Sequence, residues 1–303
     1  MESNTTPLTL PEFEYALPGN RACIGCGLSI AYRHGLKALG QETVLTVPAS
    51  CLTVLQGMYP VSSMLVPCLN TAFETTAASA TGIKAALRVL GKDEITVVGW
   101  AGDGGTADIG IQALSGAAER NTDFLYVCYD NEGYMNTGTQ RSGSTPKGAF
   151  TTTTPDGKFE PKKDMPMIMA AHNIPYVATA CPSYPGDLYD KFKKAKDIYG
   201  TRYIHILAPC APGWGYDPSL TVKMGRMAID CGIFDLYEID EGEFRFTGQT
   251  RKNAEKGIRN PVEEYIRSQD RFRTAPDSVV EEIQRAVDKK WDKYQKMGCC
   301  EAV

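Results

Sequence analysis

Three stretches of this chain combine residue types that do chemistry with spacings that let them act together. "CIGCG" (23–27) sets Cys23 and Cys26 three positions apart. "VVGWAGDGGTADIGIQALSGA" (97–117) places Asp103 among Gly102, Gly104 and Gly105, and "CYDNEGYMNTGTQ" (128–140) carries Asn131, Gly133 and Asn136. Glycines admit close backbone approach, and free N–H groups at a helix start attract an anion. A carboxylate inside such a cradle repels phosphate unless a divalent cation lies between them, so Asp103 points to Mg-diphosphate rather than bare phosphate. Hard cations take oxygen ligands, and the Asp103 carboxylate, the Asn131 amide oxygen and a main-chain carbonyl at Gly133 supply three. Blander readings exist for each part. Strand–glycine–helix turns also arise for packing, and an isolated Asn often caps its own turn.

The cysteine pair alone does not choose among a zinc half-site, a redox dithiol, a cluster half-site and unrelated buried thiols. A second CxxC, which a zinc ribbon supplies, is missing from the sequence. Single cysteines follow two strand-like segments, Cys51 after "LTVPAS" and Cys210 after "HILAP". Four thiolates gathered at one sheet edge are what a 4Fe-4S cluster requires.

The elements that must position these residues follow from hydrophobic patterning. Continuously apolar, β-branched runs at 42–49, 94–102, 123–130, 175–180 and 202–209 suit strands covered on both faces. Amphipathic or small-residue stretches at 28–39, 71–90, 106–120, 164–172 and 185–199 alternate with them as βαβ units require. The expected fold is α/β, a doubly wound, mostly parallel sheet. In such a sheet the ends of neighbouring strands bring Asp103 and Asn131 to one site. Residues 136–163 lack periodicity, and so long a loop is functional or disordered. Beyond 216 the pattern loosens into a helix near 218–231, a hairpin at 234–247 and a charged helix at 277–296 that is polar on most sides. Three divisions are expected: an arm at 1–27 with the first cysteines, an α/β domain at 28–215 and an extension at 216–303 that packs on the domain or on a partner.

Gross composition narrows the classes. The chain has 303 residues, 32 basic and 36 acidic side chains. That is long enough for a core without metal staples and too evenly charged to attract nucleic acid or an anionic membrane. No basic leader or spanning apolar run is present, so a cytoplasmic location is expected, and its ten cysteines should not pair as disulfides. Cys128, Cys181 and Cys231 suit plain burial, Cys68 a packed thiol, and Cys299 and Cys300 find no assignment. His34, His172 and His205 suit packing better than catalysis, and no His–carboxylate pair is legible.

GDG followed by a strand-end Asn resembles the thiamine diphosphate signature. That resemblance implies a diphosphate domain only. The glutamate that activates the aminopyrimidine would come from a second domain on another chain, the α subunit. "NRACIGCG", "GDGGTADIGIQALSGAAERN", "YDNEGYMNTGTQRSGSTPKGAFTTTTP", "DMPMIMAAHNIPYVATA" and "YIHILAPCAPGW" together resemble the β subunit of the pyruvate:ferredoxin oxidoreductase (2-oxoacid:acceptor oxidoreductase) family. The resemblance implies one 4Fe-4S cluster on Cys23, Cys26, Cys51 and Cys210. It also implies Mg2+ on Asp103, Asn131 and the Gly133 carbonyl, with Asn136 beside the reacting centre. The implied activity is oxidative decarboxylation of pyruvate to acetyl-CoA and CO2, with electrons passing through a ferredoxin-like iron–sulfur subunit to ferredoxin.

The stretch "VSSMLVPCLNTAFETTAASATG" (61–82) departs from the family pattern, with Leu65, Cys68 and Asn70 where a tryptophan, a basic residue and a histidine are typical. Oxalate, with no need for coenzyme A, or another 2-oxoacid is therefore an alternative substrate. Non-catalytic electron transfer is the alternative of another class, and a non-redox thiamine lyase, needing no cluster, is a third.

Overall fold

The structure, a computed structural model, describes residues 5–296. Cys299 and Cys300 lie outside the described residues. An eight-stranded sheet forms the centre: β1 (Thr43–Pro48), β2 (Cys68–Thr71), β3 (Thr96–Gly102), β4 (Phe124–Asp130), β5 (Tyr176–Ala180), β6 (Thr201–Leu207), β7 (Tyr237–Asp240) and β8 (Glu243–Phe246). Their order is β2-β1-β3-β4-β6-β5-β7-β8. The first six run parallel, and the β7–β8 hairpin adds antiparallel to β5.

Both faces of the sheet are covered, which is why its strands are apolar without alternation. Val98, Trp100, Leu125 and Val127 point into the core under α1 (Gly27–Leu39) and α6 (Pro185–Asp197). Ala101, Phe124, Tyr126 and Cys128 point the opposite way, into the core that also takes in Leu114 and Ala117 of α4 (Ile111–Glu119). Trp100 stacks on Phe192 at 5.3 Å and meets Tyr32 edge-on at 5.0 Å. Gly35 makes room for it, since a Cβ there would stand 2.7 Å from the indole.

Sheet order positions the site. β1, β3, β4 and β6 are successive neighbours, and all four end at the same edge. The residues just past those ends are Cys51, Asp103, Asn131 and Cys210.

Several boundaries differ from the sequence expectation. The helix expected at 71–90 begins at Thr76 as α3 (Thr76–Val89), because Cys68–Thr71 forms the edge strand β2, only four residues long and half exposed. The helix expected at 106–120 starts as a π-helical turn at Gly104–Ile109 and becomes α-helical only at Ile111. Residues 136–163 form an ordered wrap. Lys158, buried within it, donates to the carbonyls of Gly143 (3.3 Å), Thr145 (2.7 Å) and Pro161 (3.3 Å).

The terminal helix, α11 (Asp277–Lys296), is less polar than its composition implied. Val280, Val287, Trp291 and Tyr294 form a buried stripe. Phe246 stacks on Trp291 at 5.3 Å and Phe244 on Tyr294 at 5.0 Å, which lays this helix across the hairpin.

Candidate active site

A cavity of about 230 Å3 opens at the edge where β3 and β4 end, lined by Cys51, Phe73, Gly104, Asn131, Tyr134 and Asn136 among others. Asp103 lies at its floor, 1 % exposed, and its Oδ2 accepts from Ser142 Oγ at 2.5 Å. The Asn131 amide faces Asp103 Oδ1 at 2.9 Å and the Gly133 carbonyl oxygen at 3.0 Å. Turned with its nitrogen inward it would donate to both. With the amide oxygen inward, as in the structure, three acceptors converge with no proton among them, a donor set that suits a hard cation. Burial, followed by repulsion from Asp130, holds the Asp103 carboxyl well above the usual range. A divalent cation inverts that balance and favours the carboxylate.

Close approach explains the glycines. A Cβ on Gly104 would stand 2.5 Å from the Tyr134 ring, and one on Gly102 3.1 Å from Tyr129. The π-helical turn that starts at Gly104 is a rare geometry that recurs at functional sites.

An ionic network stands behind Asp103 and borders a second cavity of about 540 Å3. Asp130 accepts from His205 Nε2 at 2.8 Å and pairs with Lys162 at 2.5 Å. Burial alone would raise its carboxyl, but Lys162 and His205 outweigh that and hold it down to about 2. His205 Nδ1 meets the Tyr203 hydroxyl at 2.8 Å. The sequence therefore hid a His–carboxylate pair, because its members sit on different strands 75 residues apart. Glu132, between Asn131 and Gly133, has a left-handed backbone (φ 66°) and pairs with Lys162 at 2.6 Å and Arg271 at 2.5 Å.

The four candidate cluster cysteines stand at the same edge. Cys26 precedes α1, Cys51 begins α2 (Cys51–Gln56), and Cys210 caps the short helix α7 (Ala211–Trp214). Gly27 N donates to the Pro209 carbonyl at 3.1 Å, which sets "CIGCG" against the Cys210 turn. Asn131 Nδ2 lies 3.9 Å from Cys51 Sγ, which sets Cys51 against the oxygen cluster. Burial first, with the charge of neighbouring thiols adding to it, pushes the Cys51 and Cys210 thiols up to about 12. Among the described residues no three His, Cys, Asp or Glu side chains converge to hold a single metal ion. A polynuclear cluster makes a different demand, one thiolate per iron arranged around it. Cys68 instead accepts from Gln56 Nε2 at 3.3 Å on β2, and Cys128, Cys181 and Cys231 are buried free thiols. Asn136 lines the cavity.

Ser142, Lys162, Trp214 and Arg271 escaped the sequence reading. Only the length of the 136–163 loop signalled that its residues return to the site.

The fold and its GDG turn are those of a thiamine diphosphate-binding domain. The family described as thiamine pyrophosphate enzyme, C-terminal TPP binding domain, matches residues 49–206. Pyruvate synthase subunit PorB of Methanothermobacter marburgensis is 50 % identical over 286 residues, covering 93 % of this chain and 97 % of that protein. Ketoisovalerate oxidoreductase subunit VorB of Pyrococcus abyssi is 45 % identical over 301 residues, covering 96 % of each. The fold is shared with a chain of 2-oxoglutarate:ferredoxin oxidoreductase from Magnetococcus marinus (TM-score 0.58, 21 % identity, 74 % of this chain and 81 % of that one). The chain belongs to the thiamine diphosphate-binding β subunits of 2-oxoacid:ferredoxin oxidoreductases. It is thus part of a multisubunit oxidoreductase with an iron–sulfur protein as acceptor. Among the described residues, no helix is long and apolar enough to cross a membrane.

Proposed function

We propose that this chain is the catalytic β subunit of a pyruvate:ferredoxin oxidoreductase that converts pyruvate and coenzyme A to acetyl-CoA and CO2. The observation that carries the proposal is the convergence of the Asp103, Asn131 and Gly133 oxygens beside Cys51. Relatives at 50 % identity named pyruvate synthase support pyruvate, and the 45 % identity to a ketoisovalerate enzyme makes a branched 2-oxoacid the second candidate.

Asp103, Asn131 and the Gly133 carbonyl would hold Mg2+ and through it the diphosphate, with Ser142 fixing the Asp103 carboxylate. Thiamine diphosphate, when bound, supplies the carbanion stabilisation that loss of CO2 requires. Asn136 would border the reacting carbon from the cavity wall. Cys23, Cys26, Cys51 and Cys210 would hold a 4Fe-4S cluster as electron acceptor, as thiolates suited to a reducing cytoplasm. An α subunit would complete the site with the aminopyrimidine-binding domain and its glutamate, and a ferredoxin-like subunit would carry electrons to ferredoxin. In this assignment residues 28–215 bind the cofactor, 1–27 form an arm, and 216–303 an extension.

Iron and sulfide analysis of the anaerobically purified complex, in which the partners' iron is counted separately, tests the reading. About four iron per β subunit support it, and none overturns it.

A further inference from the structure

One buried cation joins the two halves of this site, and its role follows from where it sits. Arg271 lies in the turn Asp270–Phe272, far outside the cofactor motifs in sequence, yet is 4 % exposed. Its guanidinium stacks over the Trp214 ring, 4.1 Å from the centroid, and pairs with Glu132 at 2.5 Å. Trp214 Nε1 in turn donates to the Asn131 carbonyl at 2.8 Å, and Trp214 N donates to the Cys210 carbonyl at 2.8 Å. The turn is tied down twice more. Asp270 N donates to Gly215 O at 3.0 Å, and Phe150 N to Arg271 O at 2.7 Å. Gly215 has φ +71° and would place a Cβ 2.4 Å from Asp270, so this contact needs glycine.

The result is a rigid bridge. On one side it grips the Asn131–Gly133 loop, on the other the turn that carries Cys210. Asp130, Glu132, Lys162 and Arg271 nearly cancel in charge, but Arg271 is the member stacked against the Cys210 helix. The positive end of the network thus lies against Trp214, whose backbone N–H is bonded to the Cys210 carbonyl. Arg271 Nε also donates to Gln269 Oε1 at 2.9 Å, while its Nη1 has no hydrogen-bond partner among the described residues.

We infer that Arg271 is a positioning residue that locks the metal-ligand loop to the Cys210 turn, and that its buried charge raises the reduction potential of the cluster held there. The inference rests on the cofactor assignment made above and adds to it a residue that touches neither cofactor. Net charge around an iron–sulfur cluster sets its potential, because reduction adds an electron to a poorly solvated group. Partners one step behind metal ligands typically change affinity by about 10- to 100-fold when lost.

The test uses the assembled complex, purified anaerobically, with iron and thiamine contents measured first. In Arg271→Gln the cluster's midpoint potential, followed by EPR during redox titration, should move to more negative values. Arg271→Lys keeps the charge and the fold but cannot stack and pair in the same plane. It should leave the potential near that of the parent while weakening Mg-dependent thiamine diphosphate binding by about tenfold. An unmoved potential in Arg271→Gln with full iron content overturns the charge claim, and unchanged cofactor affinity in Arg271→Lys overturns the positioning claim. Should Arg271→Gln fail to accumulate, Glu132→Gln removes the counter-charge and leaves Arg271, so the potential should move to less negative values; a stationary potential then overturns the claim. A parent complex lacking β-subunit iron overturns the cofactor assignment itself.

Discussion

Ser142→Ala removes one oxygen atom from a fully buried position and should separate metal binding from folding. Ser142 Oγ donates to Asp103 Oδ2 and accepts from Ser144 N at 3.1 Å. The first bond points a carboxylate, so its loss appears in cofactor affinity. Support behind a metal ligand is worth about 10- to 100-fold, or about 1.4 to 2.8 kcal/mol at 1.4 kcal/mol per factor of ten. The second loss orphans a buried backbone N–H and costs about 1–3 kcal/mol of folding stability whether or not cofactor is present. Calorimetric titration of Mg2+ and thiamine diphosphate into the purified complex reads the first effect, and denaturant unfolding of the cofactor-free chain reads the second. Lowered stability together with a cofactor Kd within about twofold of the parent, well below the 10- to 100-fold expected, would refute the metal-site geometry. Ser142 would then be a packing residue only.

Gly104→Ala should weaken thiamine diphosphate binding and cost about 1–3 kcal/mol of stability by overpacking, because the new Cβ meets the Tyr134 ring at 2.5 Å. Unfolding curves should show the double variant Gly104→Ala/Tyr134→Leu regaining much of that stability, with no recovery counting against the clash. Cys210→Ser should bleach the cluster absorbance or lower its iron content, while Cys181→Ser, in a buried thiol away from the other three ligands, should not; equal iron contents would show the ligand set to be wrong. Lys158, whose burial pushes its ammonium down to about 8 from 10.5, contributes stability that is full above pH 10.5 and lost as pH falls through 8. Melting temperatures should therefore rise with pH across that window more in the parent than in Lys158→Met, and parallel profiles would refute the burial argument.

The sheet was legible because both its faces are covered. Its five central strands are continuous apolar runs, and strand adjacency follows once they are parallel. The convergence of Asp103 and Asn131 was legible for a related reason. Asp103 and Asn131 each sit just past a strand end, where sequence motif and position in space coincide. Strand β2 was lost because four half-exposed residues between a proline and a helix have no period to detect. The supporting residues were hidden by distance along the chain. Ser142 reaches Asp103 across 39 residues, and Arg271 reaches Glu132 across 139. The stripe of α11 was obscured by the charges between its apolar positions, although Val280, Val287, Trp291 and Tyr294 recur on one face.

The relatives at 50 % identity are named pyruvate synthase and those at 45 % ketoisovalerate oxidoreductase, so substrate preference decides between the two candidates. The most direct measurement is anaerobic ferredoxin reduction by the intact complex with pyruvate, 2-oxoisovalerate, 2-oxoglutarate or oxalate, each with and without coenzyme A. Pyruvate is expected to give the highest kcat/KM, dependent on coenzyme A and abolished by Asp103→Ala. Preference for another acid, or turnover that survives loss of Asp103, would contradict it.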